Sequence, residues 1–195
     1  MKSLLIIFLI GFSLCLEEDT LSGWKKHNTS EVSDDLNNAY AEAFSNYSKT
    51  VNNIDLKIDD ILRLTIYTQL VNGMNFKITF FDRKSEVPAI QEYILYRPIP
   101  KDGKADYEIK EVHTYEETNG FIKFDNPNFT EIEYQLYKFL KKNKIGLYYI
   151  SYVYPIENDE TKFYIINADT TDGQNLFIIG QDKVSKKYEF CVKIK

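Results

Sequence analysis

The sequence predicts an α+β fold of two units, each an antiparallel β-sheet wrapped around one α-helix. Three observations carry this. Two stretches place apolar residues at spacings of three and four, each is followed by runs that alternate apolar and polar residues, and Asn72-Gly73, Asp102-Gly103 and Asp172-Gly173 fall where strands must end. Strands joined by hairpins after a single helix give a sheet layered on that helix. The chain is also built twice. Gly23-Trp24 and the residues to Val32 reappear in outline from Gly120 to Phe129, an offset of 97 residues. Two units of about 100 residues suit normal domain size.

The chain opens Met1-Lys2-Ser3 and runs apolar from Leu4 to Leu14, with the small Ser13 two positions before Cys15. This reads as a secretory signal peptide over residues 1–15, since the run is shorter than the roughly 20 residues that span a bilayer. The mature chain is then expected in a secreted, endolysosomal or vacuolar compartment, with no membrane span once the signal is removed. Residues 16–118 form the first predicted domain and residues 119–195 the second.

In the first helix Val32, Leu36, Ala39, Ala43, Phe44 and Tyr47 lay one apolar stripe over about four turns. Thr29 or Ser30 is the expected cap, with Glu31 and Asp34 suiting the positive end. Strands follow: Leu62, Leu64 and Ile66 alternate with Arg63, Thr65 and Tyr67, then Phe76, Ile78 and Phe80 with Lys77, Thr79 and Phe81. Two further strands are expected over 90–96 and 107–115. In the second helix Asn126 caps, Pro127 takes the first helical position, and Phe129, Ile132, Leu136, Phe139 and Leu140 form the stripe. The remaining strands are expected over 147–154, 162–167, 175–179 and 187–193.

Composition narrows the function. With 24 Lys and Arg against 29 Asp and Glu the net charge is -5, and losing Lys2 with the signal makes it -6. Such a chain offers no counterion-release drive toward nucleic acid. Removal of Cys15 leaves Cys191 as the sole cysteine, read as a buried, inert thiol in a terminal strand, so the fold must hold by burial alone; 44% hydrophobic and 15% aromatic residues allow it. Asn28, Asn46 and Asn128 head sequons for N-glycosylation, whereas Pro127 excludes Asn126. The only histidines are His27 and His113, and no serine or cysteine sits in a nucleophile signature, which argues against an enzyme. Asp169 to Gly173 lacks the spacing and closing Glu of a calcium loop, so no metal and no cofactor is expected.

The most specific motif is Gln69-Leu70-Val71-Asn72-Gly73, set between two strands with Gly23-Trp24 one helix upstream. Asn-Gly favours a narrow two-residue type I′ turn with positive φ at both central positions. Gln-x-Val-x-Gly in this order with the upstream Gly and the helix resembles the contact surface of the cystatins, inhibitors of papain-like, cathepsin-type cysteine proteases. The resemblance covers Gly23 to about Glu116. It implies that Gln69, Leu70, Val71, Asn72 and Gly73 form a wedge for the protease cleft, and that Leu21 and Ser22 enter the substrate subsites before the chain bends at Gly23. A third family element, a later hairpin carrying Pro-Trp, corresponds here to Pro100-Lys101-Asp102-Gly103, without the Trp. Losing that anchor costs on the order of 2 kcal/mol, about thirtyfold in affinity. Secreted animal cystatins usually carry two disulfides, so this chain departs toward the disulfide-free members.

In the second unit the segment equivalent to the wedge, Tyr154 to Asn158, has neither the Gln nor the Gly and adds Glu157. It is expected not to inhibit, and changes at Ile156 to Asn158 are expected to leave inhibition alone. The reading is therefore a secreted, monomeric, reversible inhibitor of papain-like proteases with a degenerate second cystatin-like unit. The alternative is a non-inhibitory two-unit binding protein resembling latexin, which uses the groove between its units. Asn52 and Asn53 lie where some cystatins engage legumain, but their neighbours do not match that motif.

Overall fold

The structure is a computed structural model and describes residues 23–30, 32–51, 54–85, 88–100, 106–116, 120–123 and 125–194. The signal-peptide reading, and Leu21, Ser22, Lys101, Asp102, Asn52 and Asn53, lie outside these residues. As predicted, the fold is α+β with two antiparallel sheets and two helices. One sheet has the order β1-β2-β3-β4-β5 and the other β6-β7-β8-β9.

The first sheet comprises β1 (Lys25–His27), β2 (Ile61–Val71), β3 (Gly73–Asp82), β4 (Ala89–Arg97) and β5 (Glu108–Glu116). Helix α1 (Asp34–Thr50) lies on it, burying Leu36, Ala39, Tyr40, Ala43 and Tyr47 against Ile66, Phe76, Ile78, Phe80, Tyr93 and Leu95. Phe80 is the hub: Tyr93 stacks on it at 5.6 Å, and Tyr47 meets it edge-on at 5.4 Å. Both helix tyrosines keep their polar tips satisfied, Tyr47 donating to Asp82 at 2.9 Å. The cap is Ser33, whose hydroxyl accepts from the Leu36 amide, and not Thr29 or Ser30. The helix starts later than expected because β1, absent from the prediction, occupies residues 25–27.

The second sheet comprises β6 (Leu147–Glu157), β7 (Thr161–Thr170), β8 (Gly173–Asp182) and β9 (Tyr188–Lys193). Helix α2 (Pro127–Lys142), capped by Asn126, packs Phe129, Ile132, Leu136 and Leu140 on Val153, Ile166, Phe177 and Ile179. Where the first sheet has β1, the Ile122 amide makes a 2.7 Å bond to the Val153 carbonyl. Pro155 is tolerated inside β6 because that strand is the edge of its ladder.

Each sheet buries residues on both of its faces, which simple alternation does not predict. Leu64, Phe81 and Ile90 of the first sheet pack on Tyr154, Ile156, Phe163, Ile165, Ile178 and Ile194 of the second. In β7, Tyr164 and Ile166 face the helix while Phe163 and Ile165 face the other sheet. The layers run helix, sheet, sheet, helix. A bulge between Arg63 and Thr65 sends Leu64 to the inter-sheet face and Ile66 to the helix face, although the sequence places both on one side.

Polar groups cross the same seam. Glu92 accepts from the Asn158 amide at 2.7 Å, Thr79 and Tyr115 reach its carboxylate, and Lys77 pairs with Glu160. Burial raises the Glu92 carboxyl above its ordinary value, against the opposing pull of Lys77.

Candidate functional site

The antiparallel register decides which predicted residues meet. Lys25 lies opposite Thr68 and Lys26 opposite Tyr67, so the chain before β1 runs along β2 toward its turn. Gly23 reaches the side chain of Gln69: a Cβ there would sit 3.9 Å from Gln69 Nε2. Met74 lies opposite Arg97 and Tyr96 opposite Glu108, which brings Pro98, Ile99 and Pro100, leaving β4, to the same end of the sheet. Gly23, Gln69 to Gly73 and Pro100 therefore share one edge.

The turn itself differs from expectation. Val71 pairs with Gly73, and Asn72 alone stands between the strands. Of the turn residues only Gly73 has positive φ, 128°, so this is not a type I′ turn. Tertiary contact overrides the dipeptide preference: the Tyr96 hydroxyl donates to the Asn72 carbonyl, and a Cβ on Gly73 would fall 2.5 Å from the Arg97 carbonyl oxygen and 2.8 Å from the Tyr96 ring. Gly73 is demanded by the close approach of β4.

Below the tip the base is locked. Gln69 accepts from Asn75 across the hairpin at 3.0 Å, so it braces the strands and leaves the tip to its neighbours. The Arg97 guanidinium forks onto Asp35 in the first turn of α1, with one contact at 2.9 Å, and the Tyr107 hydroxyl donates to the Asp35 carbonyl. What remains outward is the polar Asn72 flanked by apolar side chains: Leu70 is 80%, Ile99 61% and Val71 42% exposed. Pro100 is exposed as well. Ile99 and Tyr96 are not among the residues expected from the sequence, because neither matches the Pro-Trp of the family's later hairpin.

The second unit presents no such edge at the equivalent turn. Tyr154 and Ile156 lie in the inter-sheet core, and Asn158 is buried on Glu92 while its Oδ1 accepts from the Thr161 and Glu160 amides. Glu157 is exposed and lies 3.5 Å from Lys183. Ile156 and Asn158 both hold the seam, so changes there act on the packing of the two sheets.

Asn28 and Asn128 are exposed, whereas Asn46 is half-buried within α1 and bonded with Tyr93. Cys191 is a free thiol, half-buried, and burial pushes it up to about 12. His27 bonds with the Thr68 hydroxyl at 2.7 Å and His113 with Glu111 at 3.0 Å. Among the described residues no group of three His, Cys, Asp or Glu is placed to hold a metal, and no helix is long and apolar enough to cross a membrane. Comparison of the sequence with models of protein families and with curated proteins finds no match in either.

Proposed function

We propose that this protein is a reversible inhibitor of papain-like cysteine proteases and that each of its units is cystatin-like, the first active and the second degenerate. One observation carries the reading. An apolar edge, made by Leu70 and Val71 on a locked hairpin and by Ile99 in the segment leaving β4, stands beside Gly23 at the end of the sheet.

The physics of the edge fits a plug. Burying a Leu or Ile side chain yields about 1.5–3 kcal/mol, and a preformed tip gives up little conformational freedom on binding. No charged side chain stands among Leu70, Val71, Asn72, Ile99 and Pro100, so entry into a desolvated cleft strands no ion. Ile99 supplies apolar area at the element where the family places Trp, offsetting part of that loss. At Gly23, φ is 71°, a bend that an arm lying in the substrate subsites needs in order to leave before offering a carbonyl to the thiolate. The chain then behaves as a substrate that is never cut.

A groove of about 280 Å³ between the units, lined by Phe81, Arg83, Tyr152 and Asn175, favours the second reading, a latexin-like binding protein. Titration of papain with the purified mature protein separates the two. Reversible loss of activity approaching one-to-one stoichiometry is expected, and full activity at micromolar protein would sink the inhibitor reading.

A further inference from the structure

We propose that the second unit braces the start of the first sheet: Glu189 of β9 and Glu160 of the β6–β7 turn hold Lys26 and Lys77, fixing Trp24 and β1 along β2 and so keeping Gly23 beside Gln69 at the hairpin. This deepens the inhibitor reading and rests on it. Strand β1 has three residues and one neighbour, β2, at the edge of its sheet. Such a strand frays unless something else holds it.

That support comes from the second unit. Trp24 and Lys26 alternate onto the inter-unit face, where the Lys26 ammonium pairs with Glu189 and stands 5.4 Å from the Tyr67 ring. Lys77 lies 5.0 Å from the Trp24 ring and pairs with Glu160, so a carboxylate, an ammonium and an indole form one chain across the seam. Glu160 Oε2 is buried with no hydrogen-bond partner among the described residues, which makes Lys77 essential to that carboxylate. Desolvation acts to lower the Lys26 ammonium, but Glu189 and Tyr67 outweigh it and hold it above the usual lysine value. An exposed ion pair alone contributes little. Here both pairs are partly desolvated, with side chains 33% and 25% exposed in one and 10% and 25% in the other, and one holds β1 at Lys26 while the other meets Trp24 just before it.

The test uses Glu189→Gln in the mature chain, with Lys26→Met as a second variant. Hydrogen exchange of the Lys25, Lys26 and His27 amides is measured in the free protein. Papain inhibition is measured for each variant with the arm intact and with the chain deleted through Gly23. Both variants should exchange at least tenfold faster at β1 and should inhibit about fivefold more weakly, but only when the arm is present. Unchanged exchange at β1, or equal loss of inhibition in the arm-deleted protein, overturns the brace. Should papain be untouched even by the unaltered protein, the inhibitor reading falls while the exchange rates alone decide the brace.

Discussion

Gly73 shows how one side chain, or its absence, fixes the candidate edge. At φ 128°, with the Arg97 carbonyl in the place of any Cβ, a side chain there strains the backbone and pushes β4 away from the tip. Gly73→Ala is expected to cost about 1–3 kcal/mol of stability and to weaken papain inhibition more than tenfold, as denaturant unfolding and enzyme titration would report. Leu70 offers the converse. At 80% exposure it contributes little to the fold, so Leu70→Ala should leave the unfolding midpoint within about 0.5 kcal/mol while removing roughly 2 kcal/mol of cleft contact, about thirtyfold in inhibition. Equal effects on both would mean that Leu70 is structural. Glu92 carries the pH dependence. Its raised carboxyl binds a proton more readily folded than unfolded, so its stabilisation is fully present below about pH 4.5 and is lost as pH rises through the folded value. The melting temperature of the unaltered protein minus that of Glu92→Gln should therefore grow as pH falls from 7 toward 4.5; a flat difference contradicts this.

At the level of elements, α1, α2 and eight of the nine strands among the described residues could be read from spacing because each carries its own period. What could not be read belongs to contacts between elements. β1 is three residues of Lys and His with no apolar alternation, and it exists because β2 offers an edge and Glu189 a counter-charge. Ser33 caps α1 where Thr29 or Ser30 was expected, since the chain is still leaving β1 at that point. The Asn-Gly pair marked the turn correctly and its geometry wrongly, because Tyr96 and Arg97, more than twenty residues away, decide which residue takes positive φ. Within the candidate edge Gly23, Leu70, Val71 and Pro100 were legible. Ile99 was not, since a single exposed isoleucine carries no periodic signature.

At the scale of the whole molecule, the described residues form two sheets, each covered by a helix on one face and packed on the other sheet through the opposite face. Polar-looking alternation hid this, because Thr65, Thr79, Lys77 and Glu92 are buried by pairing across the seam or between strands. Such a seam makes the units unfold together. Trp24, the only tryptophan, reports on the first unit, and Phe163 lies at 0% exposure in the second. Phe163→Ala should cost about 3–5 kcal/mol, and the Trp24 fluorescence transition should move with the circular-dichroism transition. Independent transitions would show that the seam couples nothing.

The most direct test of the inhibitory edge is a hydrogen-exchange footprint of the protein saturated with active-site-intact papain. Protection should appear at residues 69–74 and at Ile99, flanking the arm at Trp24 and Lys25, with none at 158–160 or along α2. Protection confined to the groove around Tyr152 and Asn175, with the hairpin tip exchanging as in the free protein, would contradict the account.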